Sequence, residues 1–398
     1  MTKRAPSFLR LDLHYMVMQS GFWAMFGAIC AYQAALLLSR GFSNSDVGLV
    51  ISVRCLTGIV AQPLLGIFSD RHPNVPLKAI VAASLALSFV VGLALLFPLN
   101  LAGTLAVFAV IGAFEVSAYP LMDAMAIQFI NDGIPIHYSL GRGIGSLAYA
   151  ICCALLGVLT AARGMESVLW VHSALVLLEV VLVATYPTHH PKPREKDEPE
   201  PEKPQSPLAL LSTHPRFTVT LLAALFGVLG VIPLSNFLVN VTAAKGGGSA
   251  ALGAGLFLMG AFELPTAFLF PRLKRRFGVS GLMVLSMAFC AAKCVAFLLV
   301  PNVGLLLAAQ CLQMLGYGLF TPTSVFLVNE NVPAADRVQG QTLMMVASNG
   351  LGGVLGSFLA GRALDLGGVP LALLLCLFSC LIATALAALA RRLPVGKL

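Results

Sequence analysis

The sequence predicts an all-α polytopic membrane protein with twelve transmembrane helices in two pseudo-symmetric six-helix bundles. The 398 residues are 58% hydrophobic and 11% charged, with a mean hydropathy of +0.89. Soluble domains carry about 25% charged residues. Apolar runs of bilayer length recur along the whole chain, and several residues repeat at one fixed offset. A soluble enzyme is therefore excluded.

Each predicted span rests on an apolar run, because a bilayer core of about 30 Å needs roughly 20 apolar residues per helix. Pro, Gly, Asn and charged residues mark the breaks, and tight turns at Asn100 and Asn302 divide two long uncharged stretches. The predicted spans are 12–38, 46–68, 78–97, 101–124, 138–161, 167–186, 216–242, 250–270, 279–299, 303–328, 339–361 and 368–390.

The basic residues predict the orientation of these spans. With both termini in the cytoplasm, eighteen of the 25 Lys and Arg residues fall on the cytoplasmic side and four on the opposite side. Cytoplasmic loops of membrane proteins carry such an excess. We therefore expect a multi-pass protein of the plasma (inner) membrane with both termini cytoplasmic.

The chain shows two similar halves around a polar middle segment. Residues 187–207 are rich in Pro and mixed charges, which favours a flexible cytoplasmic linker. Three pairs of residues lie 202 positions apart: Pro63 with Pro265, Pro120 with Pro322, and Asn100 with Asn302. A shared offset indicates duplication. The predicted domains are 1–186, a linker at 187–215, and 216–398.

The loop after the second span resembles the cytoplasmic loop motif of the major facilitator superfamily. Gly66, Asp70, Arg71 and the later Lys78 follow its G-x-x-x-D-R pattern, although His72 stands where a Gly-Arg pair usually begins. Further segments are similar to the lactose permease and phenylpropionate permease branch of proton symporters: 41–48, 120–123, 141–146, Glu263 and Lys293. The resemblance covers the whole chain. It implies alternating access, with these loop residues helping to gate the cytoplasmic side.

Asp123 and Arg142 are the first pair of intramembrane charges. The resemblance implies that an acid and an arginine at these places bind sugar hydroxyls, and a carboxylate and a guanidinium fork suit that task. Tyr149 follows Arg142 by seven residues, or two helical turns, so it is expected on the same helix face. The resemblance implies that an aromatic residue at this place stacks on the sugar ring. The alternative is a structural salt bridge between neighbouring helices.

Polar residues of spans 4 and 7 are further candidates for binding a solute. Glu115, Tyr119 and Asp123 are spaced by four, which predicts an 80° stripe on one face of span 4 at about 100° per residue. Asn236 and Asn240 can hydrogen-bond a hydroxylated solute. Alternatively, these side chains satisfy one another within the bundle.

Glu263 in span 8 is the principal candidate for proton coupling, since a buried carboxyl group can take up and release a proton. Lys293 is its expected ionic partner and a candidate solute ligand, with Phe289 and Phe297 one turn away on either side. Lactose permease carries a histidine and an acid in span 10, which this sequence lacks. The coupling candidates are therefore Glu263, Asp123 and Glu115, while a static Glu–Lys pair, sodium coupling or uniport stay open.

Three further ionisable residues lie within predicted spans. Arg54 is expected to pair with Glu115 or Asp123, or to bind an anionic ligand. His172 and Glu179 are seven residues apart and share a helix face, which favours an interhelical hydrogen bond or a proton relay.

The predicted function is secondary active transport, by proton-coupled symport of a sugar, an oligosaccharide or a similar polar ring-bearing solute. The alternatives are uptake of an aromatic carboxylate or nucleoside, or export of a drug or metabolite. The spans contain no HExxH or GxSxG motif, and the nine cysteines form no ligand cluster with His or carboxylates, so an enzyme and a metal site are not expected. We expect no cofactor, no nucleic acid and a monomer, with the bilayer, the solute and the proton as partners.

Overall fold

The chain is almost entirely helical. The computed structural model describes residues 8–189 and 205–395, and within these ranges the backbone forms helices and turns but no strand. Eleven helical stretches of the described residues are long and apolar enough to cross a membrane. The predicted all-α polytopic class is therefore confirmed.

Two of the continuous helical segments are too long to be single spans. Ala334–Arg392 has 59 residues, which at about 1.5 Å per residue is about 90 Å, three times the bilayer core. The backbone breaks at Gly368, where φ is 65°, and Ser249–Leu299 breaks likewise at Gly278, where φ is 67°. Glycine adopts this left-handed conformation without steric cost. Dividing both segments at these glycines gives twelve spans.

We number these spans in chain order. They are α1 (Arg10–Ser39), α2 (Asn44–Arg71), α3 (Leu77–Leu96), α4 (Leu101–Asn131), α5 (Tyr138–Arg163), α6 (Ser167–Thr185), α7 (Pro215–Asn236), α8 (249–277), α9 (279–299), α10 (Val303–Asn331), α11 (334–366) and α12 (369–392). Two short helices, Pro207–Thr213 and Leu238–Ala244, precede and follow α7.

The repeated asparagines cap corresponding helices. The Asn100 side chain accepts a hydrogen bond from the Gly103 backbone N–H at 2.9 Å, and the Asn302 side chain accepts one from the Leu305 N–H at 3.0 Å. Each satisfies one of the free N–H groups at the first turn of its helix. The offset noticed in the sequence therefore corresponds to the same local structure at the starts of α4 and α10.

The described chain divides into two compact units. The first unit takes its described residues from Met1–Arg40 and Val53–Lys196, and the second takes them from Gly41–Ser52 and Asp197–Leu398. The start of α2 thus groups with the second unit, whereas the predicted division assigned all of 1–186 to the first. The domain boundaries stay predictions.

Part of the predicted linker at 187–215 is helical. Residues 190–204 of that prediction lie outside the described residues. Pro207–Thr213 forms a helix whose first turn is capped by Ser206, which accepts a hydrogen bond from the Ala209 N–H at 3.3 Å. Leu210 is fully buried, so this short helix packs onto the second unit.

Glycines allow α5 to come close to α1, and α11 to come close to α7. A Cβ added at Gly145 would lie 2.4 Å from the Trp23 ring on α1. A Cβ added at Gly356 would lie 2.5 Å from the backbone oxygen of Leu229 on α7. In the first unit, Gly145 therefore leaves room for an aromatic side chain. In the second unit, Gly356 allows two helix backbones to lie close together.

Away from their ends, four spans of the described chain contain an irregular turn. These are π-helical turns at Gly27–Ala31 in α1, Gly112–Val116 in α4 and Val346–Gly352 in α11, and a 3₁₀ turn at Gln310–Gln313 in α10. Such turns alter the helical repeat and rotate the residues on either side relative to each other. These turns affect the directions in which candidate residues such as Glu115 point.

Candidate functional site

Asp123 is the centre of a hydrogen-bond network in the first unit. Its Oδ1 accepts hydrogen bonds from Gln19 at 3.0 Å and from the Tyr15 hydroxyl at 3.3 Å. Its Oδ2 accepts bonds from the Tyr138 hydroxyl and from Arg142 Nη1, both at 2.8 Å. The carboxylate is 8% exposed, so these four donors compensate a charge that has left water.

Arg142 lies between aromatic rings while it holds Asp123. Its guanidinium carbon is 4.9 Å from the centre of the Tyr119 ring and 6.0 Å from that of Tyr138. The Arg142 side chain remains 36% exposed, and one Nη donates to Asp123 in the described contact. The remaining N–H groups are directed elsewhere, which leaves donors with which a polar solute can bind.

An aromatic cluster continues from Tyr119 along α1. The Trp23 ring meets the Tyr119 ring edge-on at 5.4 Å, and Phe22 stacks on Tyr119 at 5.9 Å. Trp23 Nε1 is buried without a hydrogen-bond partner among the described residues. Arrays of this kind offer a solute flat apolar faces beside polar groups.

Tyr149, the predicted stacking residue, lies further along α5. Its ring contacts Gly27 at the π-helical turn of α1, and its hydroxyl interacts with the Cys153 thiol. The aromatic rings at the Arg142 guanidinium are those of Tyr119 and Tyr138 instead. Sequence reasoning missed Tyr138 and Tyr15, yet Tyr138 precedes Arg142 by one helical turn, and Tyr15, Gln19 and Trp23 repeat every four residues.

Glu115 does not join Asp123, although the sequence predicted a shared stripe. Its carboxylate accepts a hydrogen bond from Ser88 on α3 at 2.6 Å, and His172 Nε2 on α6 lies 3.3 Å from Oε1. Glu115 is 1% exposed. The π-helical turn at Gly112–Val116 interrupts the regular repeat of α4 at this residue.

Arg54 is buried among thiols and an aromatic ring. Its Nη1 donates to the Cys30 sulfur at 3.0 Å, and its guanidinium carbon lies 5.9 Å from the Phe26 ring centre. No carboxylate of the described chain lies within ion-pair distance of Arg54, although Glu115 is within electrostatic range. The predicted direct pairing with Glu115 or Asp123 is therefore not formed.

His172 and Glu179 lie on one face of α6 but have different surroundings. His172 contacts Glu115, whereas both carboxylate oxygens of Glu179 are buried without a hydrogen-bond partner in the described part of the chain. Glu179 lies directly against Gly21 of α1. The two residues do not form a relay with each other in this structure.

Glu263 and Lys293 are joined through an amide in the second unit. Lys293 Nζ donates to Gln313 Oε1 at 2.7 Å, and Gln313 Nε2 donates to Glu263 Oε1 at 2.8 Å. Lys293 is 1% exposed, and its Nζ lies 5.3 Å from the Phe297 ring centre. The expected ionic partners thus occur in one network, but Gln313 separates them.

The 3₁₀ turn of α10 contains three side chains with different surroundings. Gln313 is 4% exposed and makes both of the bonds just described, whereas Gln310 is fully buried and both polar atoms of its side chain lack a partner among the described residues. Between them in sequence, Cys311 is exposed. The sequence gives no sign of these differences, because residues of one tight turn point in different directions.

Asn236 and Asn240 are hydrogen-bonded to protein groups. Asn236 Nδ2 donates to the Ser357 hydroxyl at 3.0 Å, and Asn240 Nδ2 donates to Asn44 Oδ1 at 2.7 Å. Both contacts lie within the second unit. The two asparagines do not bond to each other, and Asn240 Oδ1 is buried without a partner in the described residues. Solute binding by these two residues stays a prediction.

The loop motif lies at the end of α2. Lys78 Nζ donates to the Tyr186 backbone oxygen at 2.8 Å, while Asp70 and Arg71 are exposed and form no ion pair within the described residues. Gly66 faces open space. A gating role for these residues stays a prediction. No group of three potential metal ligands occurs in residues 8–189 and 205–395.

Known proteins resemble this chain over most of its length. The sequence model of the MFS_1 like family matches residues 8–374. The maltose permease of Geobacillus stearothermophilus is 25% identical over 360 residues, which cover 89% of this chain and 86% of that protein. YwbF of Bacillus subtilis strain 168, an uncharacterized transporter, is 21% identical over 340 residues, covering 83% and 80% of the two chains.

Solved structures share the fold. The crystal structure of the nucleoside transporter NupG superposes with a TM-score of 0.78 at 16% identity, covering 96% of this chain and all of that one. A bacterial homolog of the human lysosomal transporter Spinster, inward-facing and unoccupied, gives 0.70 at 14% identity and covers 98% of each chain. A family match over nearly the whole chain and these folds lead to one conclusion. The chain belongs to the MFS_1 like family, and it is a membrane transporter of the major facilitator superfamily and not an enzyme.

Proposed function

We propose that this transporter takes up a sugar, an oligosaccharide or a similar polar ring-bearing solute together with protons. The observation that carries the proposal is the network at Asp123. One carboxylate there accepts hydrogen bonds from four donors, and the guanidinium beside it lies against two tyrosine rings. Adjacent hydroxyl groups of a sugar can replace some of these donors and face a ring at the same time.

Exchange of partners makes such a site suitable for reversible binding. Tyr15, Gln19 and Tyr138 keep the Asp123 charge satisfied when no solute is bound. A hydroxylated solute then substitutes new hydrogen bonds for old ones, and neither state leaves a buried charge alone. The similarity to a protein named maltose permease supports a saccharide as the solute class.

The proposed energy source is the proton gradient, with no cofactor. Glu263, Asp123 and Glu115 are the coupling candidates. Glu263 is hydrogen-bonded to Gln313, and Lys293 lies beyond it. Neutralising Glu263 would remove the attraction that holds this network together, so protonation and rearrangement are linked. Lys293 is also available as a solute ligand when the network opens.

The proposed cycle is alternating access of the two units in the plasma (inner) membrane, by a monomer with both termini in the cytoplasm. Asp70 and Arg71 are exposed at the end of α2 and are free to form new contacts in another state. We expect them, with Gly66 and Lys78, to stabilise the closed form of the cytoplasmic side.

A nucleoside or an aromatic carboxylate is the second candidate solute. The partly exposed rings of Trp23 and Tyr119 favour it, because a planar base or ring can stack there. NupG, whose fold this chain shares, is named a nucleoside transporter. Export of a drug or metabolite at the same site is a third candidate, which silence in the following experiment would favour.

The test is external pH in a lightly buffered suspension of de-energised cells that express the protein. Maltose and other oligosaccharides, galactosides, nucleosides and aromatic acids are added one at a time. Alkalinisation with a saccharide supports the proposal, and alkalinisation with a nucleoside or an acid replaces the solute class. Silence across the panel, with the protein present in the membrane, contradicts inward proton symport of these solutes. Cells carrying Asp123→Asn, with the variant present in the membrane at an equal level, are the matched control, since this variant loses the central carboxylate.

A further inference from the structure

A second buried network of the first unit lies away from the Asp123 site. Ser88, Glu115 and His172 belong to α3, α4 and α6, and they are 0%, 1% and 3% exposed. The Ser88 hydroxyl donates to Glu115 Oε1 at 2.6 Å, while His172 Nε2 lies 3.3 Å from Oε1 and 3.4 Å from Oε2. Three helices therefore meet at one carboxylate.

The surroundings of this carboxylate limit the charge that it can carry. Charged groups in a bilayer core are costly unless they are paired. The titratable or charged groups that face Glu115 are His172, Arg54 and the Cys30 thiol, and Cys55 faces Arg54 in turn. With Arg54 positive, Glu115 negative and His172 neutral, the network carries no net charge. One added proton changes that total by one.

The pair has the geometry needed to share that proton. A proton on His172 Nε2 points at the carboxylate, and its transfer to a carboxylate oxygen breaks one N–H bond and forms one O–H bond. No other bond changes. The Ser88 hydroxyl can rotate, so it can donate to the ionised carboxylate or accept from the protonated one. Glu179, the acid of α6, has no such partner in the described residues.

Helix α4 connects this network to the solute site. Glu115 and Asp123 are eight residues apart on α4, or about 12 Å at about 1.5 Å per residue. The π-helical turn at Gly112–Val116 contains Glu115, and such turns occur frequently at functional sites. A shift of α4 that alters the contacts of Asp123 would also alter those of Glu115.

We propose that Ser88, Glu115 and His172 form the proton-binding site of the first unit. One proton binds to the Glu115–His172 pair in each cycle, and α4 links its presence to the state of the Asp123 site. The second unit contributes its own carboxyl group, Glu263. The role in transport rests on the function proposed above, whereas proton binding by the pair does not.

The first experiment needs no solute. Infrared difference spectra of the purified protein in lipid nanodiscs are recorded as the pH is changed, to detect the C=O stretch of protonated carboxyl groups. We expect Glu115→Gln to remove one titrating band and His172→Gln to shift the pH at which it appears. Glu179→Gln is the matched control and should leave that band in place. If the band survives in Glu115→Gln and disappears in Glu179→Gln, the proposal is wrong.

The second experiment uses the solute identified by the pH assay. Glu115→Gln should abolish accumulation against a gradient, so that internal and external solute concentrations become equal, while exchange across the membrane continues. Continued exchange shows that the variant is folded. Glu115→Asp keeps an acid but shortens it away from His172, so it should accumulate solute with an altered pH profile. Normal accumulation by Glu115→Gln would contradict the proposal and leave proton symport itself intact.

Discussion

The first and second units organise their intramembrane charges differently. In the first unit, Asp123 holds four donors directly, and one of them is the Arg142 guanidinium. In the second unit, Glu263 reaches its cation, Lys293, only through the Gln313 amide. A carboxylate that accepts its hydrogen bonds directly from neighbouring donors favours tight and specific contact with hydroxyl groups. A network in which one neutral amide joins the two charged groups can be opened by a single change of charge. This difference supports the proposal that the first network binds the solute and that the second acts as a switch.

We expect the largest effect from a substitution that breaks the second network. Glu263→Gln preserves a side chain that can bond to Gln313 but removes the negative charge, so we expect concentrative uptake to disappear while solute binding persists. The measurement is accumulation against binding in the same membranes. The double variant Glu263→Gln with Lys293→Gln tests the alternative of a static ion pair: if neutralising both residues restores uptake, the pair is structural.

A large effect is also expected at the first network. Asp123→Asn removes the charged acceptor that the proposal assigns to the solute hydroxyl groups, and a hydrogen bond to a charged group contributes about 1.5–3 kcal/mol. Solute affinity should therefore fall by roughly two orders of magnitude, measured by calorimetric titration of the purified protein. Glu166→Gln is the control, since Glu166 pairs with Arg40 but is 55% exposed. Equal affinity losses in both variants would refute a specific role for Asp123.

We expect a moderate effect on stability that differs between Gln313 and Gln310, two glutamines of the same turn. Gln313→Leu removes one partner from both Glu263 and Lys293, and each buried group left unsatisfied costs about 1–3 kcal/mol. Gln310→Leu removes polar atoms that have no partner in the described chain, so it should leave stability unchanged or raise it. Thermal unfolding in detergent gives both values. Equal losses for the two variants would be inconsistent with the bridging role of Gln313.

The smallest effect concerns helix packing in the second unit. Gly356→Ala would place a Cβ 2.5 Å from the Leu229 backbone oxygen, which cannot rotate away, whereas a Cβ at Gly353 meets nothing within 4 Å. We expect Gly356→Ala to lower the unfolding free energy by about 1–3 kcal/mol. Gly353→Ala should be neutral or stabilising, because alanine favours helix by about 1 kcal/mol over glycine. A matched loss in Gly353→Ala would point to helix propensity or lipid contact instead of backbone packing.

The sequence predicts the spans well because their limits depend on local chemistry. Asn100 and Asn302 were placed in turns from composition alone, and both prove to be helix caps. The superfamily follows from the same pattern, with the loop residues Gly66, Asp70 and Arg71. Apolar length, turn residues and basic loops act locally, so a single sequence is sufficient to identify them.

The candidate sites are less predictable, because they depend on helix rotation. The stripe of Glu115, Tyr119 and Asp123 assumed a regular repeat, and the π-helical turn of α4 separates Glu115 from the other two. Tyr149 was predicted two turns from Arg142 on the same face, whereas the rings that contact the guanidinium are those of Tyr119 and Tyr138; stacking of Tyr149 on a solute stays a prediction. The amide between Glu263 and Lys293 was missed since a tight turn in α10, invisible in the apolar pattern, directs Gln313 between them.

The exposed thiol of Cys311 can serve as a native labelling site for the second network. Cys311 lies next in sequence to Gln310 in the turn that also directs Gln313 between Glu263 and Lys293, and six of the other eight cysteines are buried. Reaction of a charged, membrane-impermeant maleimide with this thiol would record when water reaches that turn. If solute protects Cys311 from labelling, or if the labelling rate changes with pH, the reaction would report changes in the second network in real time without an engineered label.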